Sequence, residues 1–163
     1  MPLNNRFASI YNEIRKMAKY TQGFFKPRNP QKYKGDPTNI VYRSSWELRL
    51  MSHFDQHPDV IWWRSEENVI PYKSPVDGRV HRYFPDFLIN TKNRQGKSEV
   101  LMIEVKPSQQ TVEPKKQSTV TKRYINEVFT WGVNQAKWQA AQEYCQDKGW
   151  KFVIMTEKEI YGK

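Results

Sequence analysis

The chain has 163 residues, 37% of them hydrophobic, and Lys and Arg outnumber Asp and Glu by 27 to 17 for a formal net charge of +10. That length suits one hydrophobic core rather than two independent domains, and the charge points to a polyanionic partner, nucleic acid by default. The single cysteine, Cys145, excludes an internal disulfide; no apolar run is long enough to cross a bilayer and the start lacks the apolar core of a secretory signal, so a reducing, cytosolic setting is expected.

Phe7, Ile10, Tyr11, Ile14 and Met17 recur at spacings of three and four, which predicts an amphipathic helix over 5–19. The stretch Gln22 to Asp36 then mixes Pro and Gly with Lys26, Arg28, Lys32 and Lys34, and interleaves Phe24, Phe25 and Tyr33. Met1 to Ser44 holds nine Lys and Arg against only Glu13 and Asp36, so residues 1–40 read as a basic helix and arm ahead of a domain over 41–163. Two readings of the arm stay open: it contacts phosphates through its four cations, or it is a solvated loop that packs its aromatics on the body.

Ser44-Ser45-Trp46-Glu47 opens a helix that Pro58 stops. Glu47 three residues after Ser44 fits a capping box, yet it shares a stripe with Leu50, Met51 and Phe54, which aims a carboxylate at the core. His53 and His57 have the spacing of a zinc pair without a completing Cys or His cluster, so structural or surface roles are expected. Val60 to Trp63 reads as a short strand, Glu66-Glu67 as a solvated turn with an approach to a bound metal as the alternative, and Ile70 to Tyr72 as an irregular edge. Ser74-Pro75 and Asp77-Gly78 turn the chain into a strand over 80–89, on which alternation places Arg82 on the side of Asp86, within reach of a phosphate or as an ordinary edge cation.

From Tyr83 to Ile89 and from Leu101 to Lys106 the chain is apolar, aromatic or β-branched, and the segment between is Asn, Lys, Arg, Gln and Gly-rich, the pattern of a hairpin. Asp86, Glu104 and Lys106 interrupt these buried-looking strands, and the two-residue period puts Glu104 and Lys106 on one face. Two adjacent buried carboxylates repel each other unless a cation compensates. A hard divalent ion such as Mg2+, with Mn2+ as a substitute, would do so while polarising water and a phosphoryl oxygen. Lys106 would sit beside that water as a fixed charge or proton acceptor. The bland alternative is a charged hairpin edge with Glu104 and Lys106 as a solvated pair. Pro107 to Lys122 follows as a long polar loop over the site, then a helix over 133–147 ending before Gly149, and a last strand over 150–155.

Pro85-Asp86, seventeen intervening residues, and Glu104-Val105-Lys106 resemble the PD-(D/E)xK nuclease motif, and the order helix, three strands, helix, strand matches that superfamily's core. The fold expected is therefore an α/β, restriction-endonuclease-like core: a mixed sheet of about four strands flanked by helices, with the basic arm attached. The resemblance implies Asp86 and Glu104 as metal ligands together with the Val105 carbonyl, Glu47 as a third acidic member in the manner of the TnsA-like branch, and Lys137, or Gln135, as a further member from the late helix. The stretches from Lys26 to Asp36, Tyr42 to Glu47 and His81 to Phe87 are similar to the head-completion nucleases of contractile-tailed phages. That likeness implies a DNA endonuclease, with exonuclease action also open, which acts on packaged DNA before head and tail join. Its partners would be DNA and phage head-vertex or neck proteins, with no membrane, in the host cytoplasm and the virion. Other readings are a transposon end-cleaving or repair endonuclease, and a DNA-binding head-completion plug with a relic site.

Overall fold

The alternation of residues along the central strands decides the architecture. In β3 (Val60–Ser65), β6 (Phe87–Lys92) and β7 (Ser98–Val105), Trp63, Phe87, Ile89 and Ile103 fill one core while Leu88 and Met102 fill a second, as the two-residue period of a strand requires. The sheet is therefore covered on both faces. The computed structural model describes residues 22–162, and the helix expected over 5–19 lies outside the described residues.

A four-stranded mixed sheet of order β3-β6-β7-β8 forms the middle layer. The first three strands are antiparallel neighbours, and β8 (Lys151–Met155) runs parallel to β7. Parallel pairing demands a long crossover, which the loop after Lys106 and the helix α2 (Lys122–Lys148) supply. On one face lie α1 (Ser45–Gln56) and α3 (Glu157–Tyr161), whose Leu50, Met51, Phe54 and Ile160 meet Trp63 and Phe87. On the other, Trp138, Ala141 and Cys145 of α2 pack on Leu88 and Met102, joined by Ile70, Tyr72 and Tyr83 from a separate hairpin, β4 (Ile70–Lys73) with β5 (Val80–Tyr83). This is the restriction-endonuclease-like α/β sandwich with its four-stranded mixed sheet.

Several boundaries differ from the sequence reading. The strand expected over 80–89 is two strands, because Phe84-Pro85-Asp86 leaves the ladder; Pro85 has no amide hydrogen to continue it. The late helix starts at Lys122 rather than Val133. Thr121 caps it by accepting from Tyr124 N, and the first three turns escape detection because their residues are mostly exposed and carry no core-facing stripe. The short α3 is set by a capping box between Thr156 and Glu159.

The described arm lies against the body. The strand β1 (Gly23–Phe25) pairs antiparallel with β2 (Ile40–Tyr42), and Tyr33 and Ile40 are buried in the core beside Trp63. At the far end of α1, the buried Asp55 carboxylate accepts from Arg28 N at 2.8 Å and Asn29 N at 3.0 Å. Lys32 Nζ donates to the Asp55 and His57 carbonyls at 3.0 and 2.8 Å, serving the last carbonyls of the helix.

Candidate active site

The hairpin register places the acidic pair. Phe87 faces Ile103 across β6 and β7; one step further sets Asp86 opposite Glu104, on the face that Leu88 and Met102 present to α2. Asp86 Oδ2 accepts from Val105 N at 2.7 Å, so the Val105 peptide lies against the carboxylate. Glu104 is only 5% exposed; its Oε2 accepts from the Tyr83 hydroxyl at 2.6 Å and its Oε1 lies 3.3 Å from Lys106 Nζ. Lys106 is in turn fixed through its backbone, whose N–H donates to Met155 O of β8 at 3.0 Å.

Burial, and then the neighbouring Glu104 charge, hold the Asp86 carboxyl well above its ordinary value, as expected when two acids share a dry site. Glu47 adds to this from the α1 layer. Burial raises the Glu47 carboxyl as well, against the opposing pull of a hydrogen bond from Arg43 N to its Oε2 at 2.8 Å. Only half of the expected capping box forms: Glu47 N donates to Ser44 Oγ at 3.1 Å, while the Glu47 side chain turns to Arg43 N, one residue before the cap. Among the described residues no three His, Cys, Asp or Glu side chains stand close enough together to hold a metal by themselves, so Glu47 neighbours the Asp86–Glu104 pair without completing a three-carboxylate cage.

The other expected members fall in several places. Lys137 of α2 sets its ammonium over the rings of Tyr83 and Tyr72, 5.6 and 5.7 Å from their centroids, so it meets the acidic pair through Tyr83; Gln135 is exposed. Arg82 is exposed on β5 with its guanidinium 5.9 Å from the Phe84 ring centre. Of the arm cations, Lys32 is occupied at the end of α1 and Lys34 lies 4.0 Å over the Trp62 ring centre. Lys26 and Arg28 are exposed.

Two residues at the site's edge had drawn no attention or a bland reading. Arg43 forms an ion pair with Glu66, and its charge is felt by Glu47. Glu66, read as part of a solvated turn, adopts a left-handed backbone with φ of 51° and donates its N–H to Asp86 O at 3.1 Å. A non-glycine residue held there is characteristic of a functional neighbourhood. Nothing in local sequence marks it. Tyr83 carried a usable signal: a phenol in a buried run needs an acceptor, and Glu104 provides it.

The model of the family described as TnsA-like endonuclease N terminal matches residues 57–157, the span holding Asp86, Glu104, Lys106 and Lys137. The chain belongs to the TnsA-like endonucleases. It is also 41% identical, over 139 residues, to the head completion nuclease of Enterobacteria phage T4, an alignment covering 83% of this chain and 90% of that protein. This TnsA-like chain is thus a phage-type nuclease of the head-completion kind. No described helix of this TnsA-like nuclease is long and apolar enough to cross a membrane.

Proposed function

We propose that this nuclease hydrolyses DNA phosphodiester bonds with a divalent metal ion, Mg2+ first and Mn2+ as its substitute, held by Asp86, Glu104 and the Val105 carbonyl. The observation that carries the reading is the pair of facing carboxylates, half-buried Asp86 and buried Glu104, with one ammonium at 3.3 Å from Glu104. Asp86 Oδ1 has no donor among the described residues, and Asp86 is ill-suited to ionise alone. Two carboxylates, a peptide oxygen and room for water are what a hard oxygen-seeking cation takes, so the donor set fits. When bound, such an ion neutralises charge on a phosphoryl oxygen and acidifies a water.

The chain's own groups supply the rest. Lys106, tethered to β8 through its backbone, holds its side-chain nitrogen beside Glu104, where the ammonium orients the attacking water or the neutral amine accepts its proton. Tyr83 fixes the Glu104 carboxylate from behind, with the Lys137 charge over its ring. Glu47 orients the surrounding water network. Arg82 on β5 and the arm cations Lys26, Arg28 and Lys34 would track the phosphate backbone, while the expected fourth arm cation, Lys32, stays with the carbonyls at the end of α1. As the resemblance to head-completion nucleases implies, the protein would act on packaged DNA ahead of head-tail joining, in the host cytoplasm and the virion, with head-vertex or neck proteins as partners; the name of the T4 relative, a head completion nuclease, supports the reading. A plasmid-nicking titration with Mg2+ tests the site. Glu104→Gln and Asp86→Asn should lose more than the roughly 10–100-fold that outer-shell changes cost, while near-wild-type cutting at saturating metal by either variant would overturn the assignment.

A further inference from the structure

Beside the acidic pair the chain builds a second concavity that the hydrolysis leaves unused. A cavity of about 740 Å3 opens between the turn Ser108–Thr111 and the first half of α2, within the range of about 300–1,000 Å3 typical of small-ligand sites. One wall carries Gln109 and Gln110; the other carries Asn126, Thr130 and Asn134, which share a helix face by their spacing of four. The first wall is preformed, because Ser108 is fastened to Glu157 by both its N–H, at 2.9 Å, and its hydroxyl. Asn134 is only 6% exposed and lines the cavity, yet its amide makes no side-chain hydrogen bond among the described residues. Held by no protein side chain, the Asn134 amide keeps its donors and acceptor open to whatever enters the cavity.

The chemistry of the walls selects the ligand. Four amides and a hydroxyl offer donors and acceptors without charge, and the one cation of the lining, Arg123, is paired with Glu127 at 3.0 Å. Phosphate would call for free cations; neutral hydrogen-bonding edges call for a base. Trp131, held edge-on against Trp138, adds an aromatic surface of the kind that stacks bases. Gln109 is three residues beyond Lys106, no more than about 11 Å along the chain, so the cavity is in reach of a nucleotide near the scissile phosphate.

We infer that this cavity receives an unpaired nucleobase of the DNA strand being cut, so that the preferred substrate has a frayed or single-stranded end. The inference rests on reading the Asp86–Glu104 pair as a DNA-hydrolysing site. Its test is a binding measurement on the full chain without divalent ions, comparing a blunt duplex with the same duplex carrying a short unpaired 3′ or 5′ tail. Wild type should hold one tailed form at least about fivefold more tightly, the loss that one stacked base represents. Gln109→Ala with Asn126→Ala, both at exposed positions, should erase that preference while keeping blunt-duplex affinity, and Asn134→Ser should weaken it, with the fold checked by circular dichroism. Equal wild-type affinities for all three probes, or a preference that survives the double variant, would overturn the cavity assignment. A nicking assay on Glu104→Gln run alongside separates the two readings: cutting that depends on Glu104 without a tail preference defeats the cavity alone, whereas Glu104-independent cutting defeats the hydrolytic site and leaves tail binding to stand or fall on its own data.

Discussion

Asp86 is the residue at which charge, burial and chemistry meet. Its folded carboxyl sits above the ordinary 3.8, through burial first and Glu104 second. The folded state therefore holds the Asp86 proton more tightly than the unfolded chain, and the sign follows. The stabilising contribution is full below about pH 4 and is lost as pH rises through the folded value. In metal-free protein, Asp86→Asn should melt together with wild type near pH 4 and progressively above it as pH rises toward 8, and saturating Mg2+ should raise the wild-type midpoint at pH 8 while leaving the variant's unmoved. Differential scanning calorimetry across that range decides it; a gap that does not change with pH would mean that Asp86 is ionised and balanced by a permanent partner. The motif spacing made Asp86, Glu104 and Lys106 legible in the sequence, since charged residues break an otherwise apolar pair of strands. Arg43 and Glu66 were illegible, because the ion pair joins residues on separate elements and the left-handed backbone of Glu66 is imposed by its neighbours.

At the scale of elements, the arm and α1 illustrate where pattern reading stops. Two apolar runs around a polar turn revealed the central hairpin, whose strands are covered on both faces, and the apolar stripe revealed α1, which buries one face. The seating of the arm depends on Asp55, a buried carboxylate at a helix end that also carries His53, Gln56 and His57, and its purpose appears only with the backbone amides of Arg28 and Asn29 folded over it. Asp55→Ala leaves those two donors without their acceptor and should cost about 2–3 kcal/mol in a urea titration. Limited trypsin digestion should then cut after Arg28, whose exposed side chain already meets the protease, far faster than in wild type. An unchanged urea midpoint would show that the arm is held without the Asp55 carboxylate, by Tyr33, Ile40 and the Lys32 bonds to helix carbonyls. The first turns of α2 were missed for the converse reason: they face solvent and the cavity rather than the core, and no apolar period announces them.

Across the whole molecule, the acidic pair sits by the start of α1 and the arm's turn is fastened to its end, roughly 18 Å away for a helix of this length. A duplex cut at Asp86 would have to run the length of α1 to meet Lys26 and Arg28, and Lys32 is committed to helix carbonyls. Lys26→Gln with Arg28→Gln should therefore lower the magnitude of the salt slope of duplex affinity by up to about two units, with turnover at saturating DNA retained. An unchanged slope would place the arm on a protein partner. The fastening of Lys106 to Met155 O has a different consequence, in time rather than space. Synthesis proceeds from the amino terminus, so Glu47, Asp86, Glu104 and Lys106 are all made before the loop, α2 and β8. A nascent chain thus carries Asp86, Glu104 and Lys106 before it has the strand that anchors that lysine. If Lys106 acts in catalysis as proposed, cutting waits for the parallel pairing of β7 with β8, the slow, long-range step of such a topology, and translation itself would delay the appearance of an active nuclease.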